Sequence, residues 1–322
     1  MELHLVSGFL GSGKTTSIIT LCKHLMQKGK KVAVVTNDQG KYLVDTAFFR
    51  ASDIPATEVQ SGCFCSNYQD LVEQLDELCV RVGPDVVFAE SIGSAGNLVG
   101  TVLQPLLNTS KYTPSSLSAI VDARLFLRLL HDEPLPFSDS VSATFRSQLN
   151  ESDLLIINKI DLLSSDDIKE IKFKINEHFP DKKYLFQSAF STSDIQNWYN
   201  NIRVLKVSEM KDSGLNSQLH QRALLRLKWM ERVYDLKSKN NVFDEIHNII
   251  DTMLKRLSGT PRAIAHIKAY IEYNGKYLKI GITSLNENDW QDQLHDLFAH
   301  SAKVIINARI HSDDDIDDLF IL

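Results

Sequence analysis

The sequence has few cysteines and no long apolar run. It contains four cysteines in 322 residues, too few for a disulfide scaffold in a chain of this size. No apolar stretch approaches the roughly 20 residues that a membrane-spanning helix needs. The first residues contain no basic segment followed by an apolar one, so we expect no signal peptide. These absences predict a cytoplasmic protein with reduced thiols and no membrane association.

Positive charge is not in excess either. The chain has 35 Lys and Arg residues against 41 Asp and Glu residues, a formal net charge of −6. A mildly acidic chain is a poor binder of nucleic acid, so we expect no nucleic-acid partner. The apolar fraction of 43% and charged fraction of 24% are typical of a globular protein. The length is sufficient for two or three domains.

A glycine-rich segment follows the first apolar run. Residues 8–16 read GFLGSGKTT and fill the phosphate-loop pattern GxxxxGK[ST]. The glycines let backbone N–H groups surround phosphate oxygens, and the helix that follows offers its positive N-terminus. We expect Lys14 at the β- and γ-phosphates and the Thr15 hydroxyl on Mg²⁺. A glycine-rich turn without a ligand is the alternative. The predicted phosphate-binding residues are Gly8, Gly11, Ser12, Gly13, Lys14, Thr15 and Thr16.

Short apolar runs alternate with helical patterns through the first two hundred residues. Such near-continuous apolar runs are typical of buried parallel strands, and their alternation with helices predicts a doubly wound, mainly parallel α/β sheet. Ligands of such a sheet bind at the carboxyl ends of its strands. The runs are Leu3–Val6, Val32–Thr36, Val86–Ala89, Leu117–Val121, Leu154–Ile157 and Tyr184–Phe186.

A polar segment without periodicity, residues 206–217, separates this region from the rest. We therefore predict a domain at 1–205, a linker at 206–217 and a C-terminal domain at 218–322. The pattern of the last domain is β-α-β-β-α-β, which predicts a smaller α+β, ferredoxin-like layout. Its predicted elements are a strand at 223–234, a helix at 243–257, strands at 264–273 and 277–283 around Asn274-Gly275, a helix at 289–300 and a strand at 303–310.

A second motif, Asn158-Lys159-Ile160-Asp161, directly follows an apolar run. The Asp161 carboxylate can accept hydrogen bonds from the ring N–H and the amine of guanine, whereas adenine has no such donor pair. Asn158 is expected to fix this loop, and the stem of Lys159 can lie over the base. Alone, the four residues could also form a helix-capping turn. Ser188 and Ala189, after the next run, could offer a backbone N–H to the guanine O6.

Two acidic residues follow other strands and are candidate catalytic residues together with Lys14. Asp38 lies in NDQG and Glu90 begins ESIG. Mg²⁺ prefers oxygen ligands and keeps several waters, so both carboxylates are candidate Mg²⁺ ligands, directly or through water. Gly93 could let its backbone approach the γ-phosphate. The alternative for each acid is a solvated loop carboxylate.

A third segment, Gly62-Cys63-Phe64-Cys65-Ser66-Asn67, places two thiols one residue apart. Cys63 and Cys65 could both face Zn²⁺ or another transition metal, but two ligands do not complete a tetrahedral site. The alternative is a pair of partly buried residues before a helix capped by Ser66 or Asn67.

Taken together and in order, six segments of the chain resemble the CobW-like GTPases, which are relatives of UreG, HypB and MeaB. These segments are GFLGSGKTT, NDQG, SGCFCSN, ESIG, AIVDA and QLNESDLLIINKIDLL. The resemblance covers the N-terminal two-thirds of the chain and implies GTP and GDP as ligands, Mg²⁺ as cofactor and slow GTP hydrolysis. It also implies delivery of a metal or a cobalamin cofactor to a client protein, and a homodimer is left open.

The family motif is C-x-C-C, and Ser66 stands at the third cysteine. That departure leaves open a metal-free, nucleotide-gated chaperone of a cofactor-dependent enzyme; a small-molecule phosphotransferase is disfavoured by NKID.

Overall fold

The computed structural model describes residues 1–37, 44–60, 62–109, 113–205, 215–285 and 290–320. The chain divides into two compact units, residues 1–220 and 221–322. Of the predicted linker, residues 206–214 lie outside the described residues, and Ser217 begins a helix. Among the described residues, no helix is both long enough and apolar enough to cross a membrane.

The first unit is built on a seven-stranded sheet in the order β3-β2-β4-β1-β5-β6-β7. All neighbouring strands are parallel, as predicted. The six apolar runs all became strands. The edge strand β3 was missed because it has only four residues, one of them a glutamate. The strands are β1 (Glu2–Ser7), β2 (Val32–Asn37), β3 (Ala56–Val59), β4 (Val86–Glu90), β5 (Thr113–Asp122), β6 (Leu154–Asn158) and β7 (Lys183–Gln187).

Helices cover both faces of this sheet. Leu3 and Leu5 of β1 belong to a core with α3, whereas Val6 belongs to a second core with α1 and α8. Successive strand residues point to opposite faces, so both cores draw on the same strands. The helices are α1 (Lys14–Gln27), α2 (Val44–Ala51), α3 (Tyr68–Arg81), α4 (Gln104–Asn108), α5 (Ala123–Leu130), α6 (Asp139–Glu151), α7 (Ser165–His178), α8 (Thr192–Val204) and α9 (Ser217–Arg226), with a π-helical turn at Val99–Leu103 before α4.

The second unit contains a four-stranded antiparallel sheet in the order β10-β9-β11-β8, with α10 packed on one face. The predicted hairpin at Asn274-Gly275 is present, and both residues have the positive φ values, 48° and 70°, of a tight two-residue turn. The elements are β8 (Leu227–Lys237), α10 (Val242–Leu257), β9 (Ala263–Tyr273), β10 (Lys276–Ile282) and β11 (Ser301–His311).

The second unit differs in detail from the expected ferredoxin-like layout. The strand that separates β8 from β9 is the last of the four, β11, whereas the third strand separates them in a ferredoxin-like sheet. Residues 223–226, predicted as strand, end helix α9, a segment rich in helix-forming Leu, Ala, Gln and Arg. In place of the predicted helix at 289–300, the described part of that segment holds one 3₁₀ turn, Gln291–Gln293. Asp296 has φ 63°, which a continuing α-helix does not allow.

Candidate functional site

The phosphate-loop motif joins β1 to α1 at the carboxyl edge of the parallel sheet. Gly8, Gly11 and Gly13 have φ values of 133°, 73° and 95°, which residues other than glycine rarely adopt. A Cβ on Gly8 would overlap the backbone carbonyl of Ile120. The glycines are therefore required by the backbone path of this loop. That path arranges main-chain N–H groups as an anion-binding concavity ahead of a helix.

Lys14 and Ser12 are buried within this loop. Lys14 is 8% exposed, and its Nζ donates to the carbonyls of Gly8 at 2.7 Å and Phe9 at 3.2 Å. These two hydrogen bonds hold the ammonium group of Lys14 across the phosphate loop. Ser12 is 1% exposed, and its hydroxyl has no hydrogen-bond partner among the described residues. Since a buried hydroxyl without a partner is costly, this oxygen fits a ligand that supplies one.

The Thr15 hydroxyl lies between two buried carboxylates. Its Oγ1 is 2.8 Å from Oε1 of Glu90 and 3.2 Å from Oδ1 of Asp45. Glu90 is 4% and Asp45 8% exposed. A hydroxyl has one proton and can donate to only one of them at a time. Three hard oxygen atoms therefore converge beside the phosphate loop, the type of ligand set that Mg²⁺ takes.

The sequence prediction named Glu90 for this cluster but missed Asp45. Asp45 lies in the first turn of α2, seven residues beyond Asp38. The candidate Asp38 itself lies outside the described residues. No motif marks Asp45 in the sequence. Its proximity to Thr15 comes from the fold, which places the start of α2 near the carboxyl ends of β2 and β4.

Asn158 ties the base-recognition motif to the phosphate loop. It ends β6, is fully buried, and donates from Nδ2 to the carbonyl of Ser12 at 2.8 Å. Gln187, at the end of β7, donates to Ser17 Oγ at 2.9 Å and lies 3.4 Å from Asn158 Oδ1. Asn158 is thus held from both sides. Gln187 was missed by the sequence prediction, because a lone glutamine before Ser188 carries no recognisable signal.

Asp161, the last residue of this motif, is exposed in the 3₁₀ turn Ile160–Leu162. Lys159 precedes it with a left-handed φ of 65°, and its Nζ lies 2.8 Å from Asp122 Oδ2. Burial alone would raise the pKa of Asp122, but hydrogen bonds from Arg124 and the ammonium charge of Lys159 lower it overall. Asp122 therefore remains a carboxylate and fixes the ammonium group of Lys159 within the motif.

The pair Ser188-Ala189 also lies after its strand as expected, at the end of β7. The N–H of Ser188 donates to Asp194 Oδ2 at 2.9 Å. The N–H of Ser188 is thus already used by the protein, and Ala189, which is 5% exposed, remains the candidate donor of the predicted pair. Gly93 lies after β4, beside Leu10 of the phosphate loop.

The cysteine segment lies between β3 and α3. Asn37 at the end of β2 holds it: Nδ2 donates to the carbonyls of Val59, at 3.3 Å, and Gly62, and Oδ1 accepts from Phe64 N at 2.9 Å. The segments NDQG and SGCFCSN are therefore joined by one side chain. This link was not predicted.

The sulfur atoms of Cys63 and Cys65 lie next to each other, positioned as a disulfide pair. Their Cα atoms are 5.0 Å apart, within the range that a disulfide spans. The same proximity would let two reduced thiolates face one metal ion. Within the described ranges, no group of three or more His, Cys, Asp or Glu side chains is arranged to hold a metal.

Residues 2–186 match the family model of the CobW/HypB/UreG nucleotide-binding domain, which is more than half of the chain. The chain belongs to the CobW/HypB/UreG family of P-loop GTPases. The resemblance predicted from the sequence is confirmed.

Among curated proteins, the zinc chaperone YeiR of Escherichia coli is 34% identical over 164 residues, 49% of this chain and 46% of that protein. A zinc chaperone CobW of a Sinorhizobium species is 23% identical over 212 residues, 57% of this chain and 58% of that protein. The zinc-regulated GTPase metalloprotein activator 1 of Dictyostelium discoideum is 24% identical over 270 residues, 69% of this chain and 56% of that protein. This CobW/HypB/UreG protein thus spans about half the length of these relatives.

Among solved structures, the Zn(II)-bound YjiA GTPase of Escherichia coli has a TM-score of 0.40 and 14% identity, covering 96% of this chain and 94% of that one. The nickel complex of HypB from Helicobacter pylori has a TM-score of 0.44 and 16% identity, covering 62% of this chain and 84% of that one.

Proposed function

We propose that this protein binds and slowly hydrolyses GTP, and that this cycle assists delivery of a metal ion to a client protein. The observation that carries the proposal is the hydrogen bond from Asn158 to the carbonyl of Ser12. It joins the phosphate loop to the motif expected to recognise guanine. One nucleotide can therefore contact both segments.

The phosphate end of the nucleotide would be held by the amides of residues 8–16, with Lys14 at the β- and γ-phosphates. The oxygen atoms of Thr15, Glu90 and Asp45 fit Mg²⁺, because this ion prefers hard oxygen ligands. Asp38 remains a candidate Mg²⁺ ligand. Bound Mg²⁺ would neutralise developing charge on the phosphates. The protein's own contribution is to fix these oxygens on three separate elements and to keep Glu90 and Asp45 buried beside the loop.

The base would be recognised by Asp161. Its exposed carboxylate can accept both hydrogen bonds from guanine, with Ala189 donating to O6. Lys159 would move its stem over the ring while Asp122 holds its ammonium group. In an ATP-binding protein a carboxylate at this position would be left without a partner, because adenine has no matching donor pair.

Metal delivery is supported by the zinc-chaperone relatives and by the Cys63–Cys65 pair. Once reduced, two thiolates on one turn supply half of a tetrahedral zinc site, and the other ligands would come from the client or from a second copy of the chain. Asn37 links this turn to the end of β2, so a nucleotide-dependent shift of Asn37 would reach the thiols. The cargo is a transition metal, with Zn²⁺ the ion that the relatives' names point to.

A metal-free role is the second candidate. Ser66 stands where the family has a third cysteine, and its hydroxyl is bound to the carbonyl of Cys63 at 3.0 Å. A hydroxyl is a poor zinc ligand, which favours a nucleotide-gated chaperone of a cofactor-dependent enzyme, such as a cobalamin enzyme. Zinc content of the reduced protein, with and without GTP, separates the two. A Cys63→Ala, Cys65→Ala variant should lose stoichiometric zinc, whereas the control Cys79→Ala should keep it.

Calorimetry with GTP and with ATP tests the nucleotide assignment directly. We expect tight, Mg²⁺-dependent binding of GTP and GDP, weak binding of ATP, and slow phosphate release from GTP. Equal affinities for ATP and GTP would contradict the proposal. A phosphorylated small-molecule acceptor among the products would instead indicate a phosphotransferase.

A further inference from the structure

The segment after β4 lies against the phosphate loop. Glu90 ends the strand, and Gly93, Ser94 and Ala95 that follow it are buried. A Cβ on Gly93 would be only 2.7 Å from the backbone nitrogen of Leu10, which is tighter than real Cβ contacts. Gly93 is therefore a glycine because its backbone abuts the loop that would hold the phosphates.

Gln148 of α6 holds this segment from one side. The side chain is fully buried, and its Nε2 donates to the carbonyls of Gly93 at 3.0 Å and Ala95 at 2.7 Å. An amide NH₂ group has two hydrogens, and both are directed to this one segment. One turn further along α6, Glu151 accepts a hydrogen bond from Val99 N at 3.3 Å. Helix α6 thus anchors the chain from Gly93 to Val99.

His220 of α9 contacts the same segment through the carbonyl that lies between the two held by Gln148. Its Nε2 is 2.9 Å from the oxygen of Ser94, and since a carbonyl can only accept, this nitrogen is the donor. A Cβ on Gly96 would overlap Leu215, just before α9. Three consecutive carbonyls, at residues 93, 94 and 95, are therefore bound by side chains of two different helices. Helix α9 continues to Arg226, where β8 of the second unit begins.

We propose that the segment Gly93–Ala95 couples occupancy of the γ-phosphate position to helix α9, with Gln148 as its anchor and His220 as its contact with the helix. This inference rests on the proposed GTP-binding function. A γ-phosphate that contacts the backbone of Gly93 acts on a segment whose position is set by Gln148. Any shift of Ser94 changes the bond to His220, and through it the stability of the first turn of α9. Gln148 is a positioning residue in this scheme, because it acts through Gly93.

The first test measures nucleotide affinities of Gln148→Leu in the full chain by calorimetry. Leucine is close to glutamine in size but cannot hold the two carbonyls, so the segment is no longer fixed against the phosphate loop. We expect affinity for a non-hydrolysable GTP analogue to fall about tenfold relative to GDP, the effect of one to two net hydrogen bonds. A merely structural role would lower both affinities equally or neither. An unchanged ratio of the two affinities would overturn the inference.

The second test does not depend on Gln148→Leu folding. Hydrogen exchange of the peptide covering residues 217–226 is measured by mass spectrometry with GDP and with the GTP analogue. In the unaltered protein we expect the exchange rates of α9 to differ about threefold between the two nucleotides. His220→Ala should abolish that difference while changing nucleotide affinity less than about twofold. Gln221→Ala, an exposed neighbour on the same helix, is the matched control and should keep the difference.

The outcomes separate the two proposals. If the unaltered protein binds GTP but α9 exchanges at the same rate with both nucleotides, or if His220→Ala retains the difference, the coupling is wrong and the GTP assignment stands. If the unaltered protein binds no guanine nucleotide, the proposed function fails, and the coupling fails with it.

Discussion

The side-chain amide of Asn158 donates a 2.8 Å hydrogen bond to the carbonyl of Ser12, 146 residues earlier in the chain. Both residues are buried. The bond closes the distance between two motifs that the sequence shows only as separate segments. Because β1 and β6 are parallel and both flank β5, their carboxyl ends reach the same edge of the sheet.

Asp161→Asn should change the base preference. The substitution removes a carboxylate that accepts from guanine and introduces an amide that can donate to the second carbonyl of xanthine. Two hydrogen bonds to a charged group are lost, so GTP affinity should fall on the order of a hundredfold, while xanthosine triphosphate gains affinity. Calorimetry with both nucleotides measures this. Asp166→Asn, an exposed aspartate of α7, is the control and should bind GTP normally.

Asn158→Ala should destabilise the protein even without nucleotide. The carbonyl of Ser12 loses its donor, and Gln187 loses a neighbour in a buried network. Leaving one buried carbonyl unsatisfied should lower the free energy of unfolding by about 2 kcal/mol. Urea unfolding gives the value. Asn150→Ala, on the exposed face of α6, should change it by less than about 0.5 kcal/mol; a similar loss in both variants would show that the Asn158–Ser12 bond is not the cause.

Thr15→Val should uncouple Mg²⁺ from GTP hydrolysis. Valine keeps the shape of threonine but lacks the oxygen that lies between Glu90 and Asp45. The hydrolysis rate should fall about a hundredfold and become insensitive to Mg²⁺, whereas Thr15→Ser should retain most activity. Thr20→Val, which removes only a bond to the carbonyl of Thr16, serves as the control on the same helix. Full Mg²⁺-dependent turnover by Thr15→Val would refute the assignment.

Gly8→Ala and Gly29→Ala form a matched pair, since both glycines have positive φ. At Gly8 the added Cβ overlaps the backbone of Ile120, whereas at Gly29 it meets nothing within 4 Å. Gly29→Ala should therefore lower the free energy of unfolding by only about 1 kcal/mol. Gly8→Ala should cost more than about 3 kcal/mol or prevent folding. Comparable losses measured by urea unfolding would mean that the phosphate loop can move away from β5.

Glu151 should make stability depend on pH. Burial raises its pKa from 4.5 to about 7, against opposing backbone hydrogen bonds and the charge of Lys182. The folded state then binds more protons than the unfolded state, so this contribution is complete below pH 4.5 and is lost as pH rises through about 7. The loss should approach about 3 kcal/mol.

Urea unfolding at about pH 5 and about pH 8 checks this prediction. Glu151→Gln carries no titrating group, so its stability relative to the unaltered protein should rise between the two pH values. Glu177→Gln, an exposed glutamate of α7, should not reproduce that rise. A constant difference between Glu151→Gln and the unaltered protein would disprove the pKa shift.

The sequence alone determined the parallel sheet, the phosphate loop and the base motif. Each is encoded locally: a short, β-branched apolar run such as Leu154–Ile157 favours a buried strand, and Gly8, Gly11 and Gly13 mark a backbone path that other residues rarely follow. The hairpin at Asn274-Gly275 was equally clear, since both residues tolerate positive φ.

Only the tertiary structure decided which side chains meet between these segments. Three of these side chains are single polar residues without a local sequence signature. They are Asp45 beside Thr15, Gln187 beside Asn158, and Gln148 on the segment after Glu90. Each of these contacts joins residues that are 29 to 55 positions apart in the chain. Each therefore depends on the order in which the strands lie in the sheet. A local pattern fixes a backbone conformation, whereas a long-range hydrogen bond exists only once two elements have packed against each other.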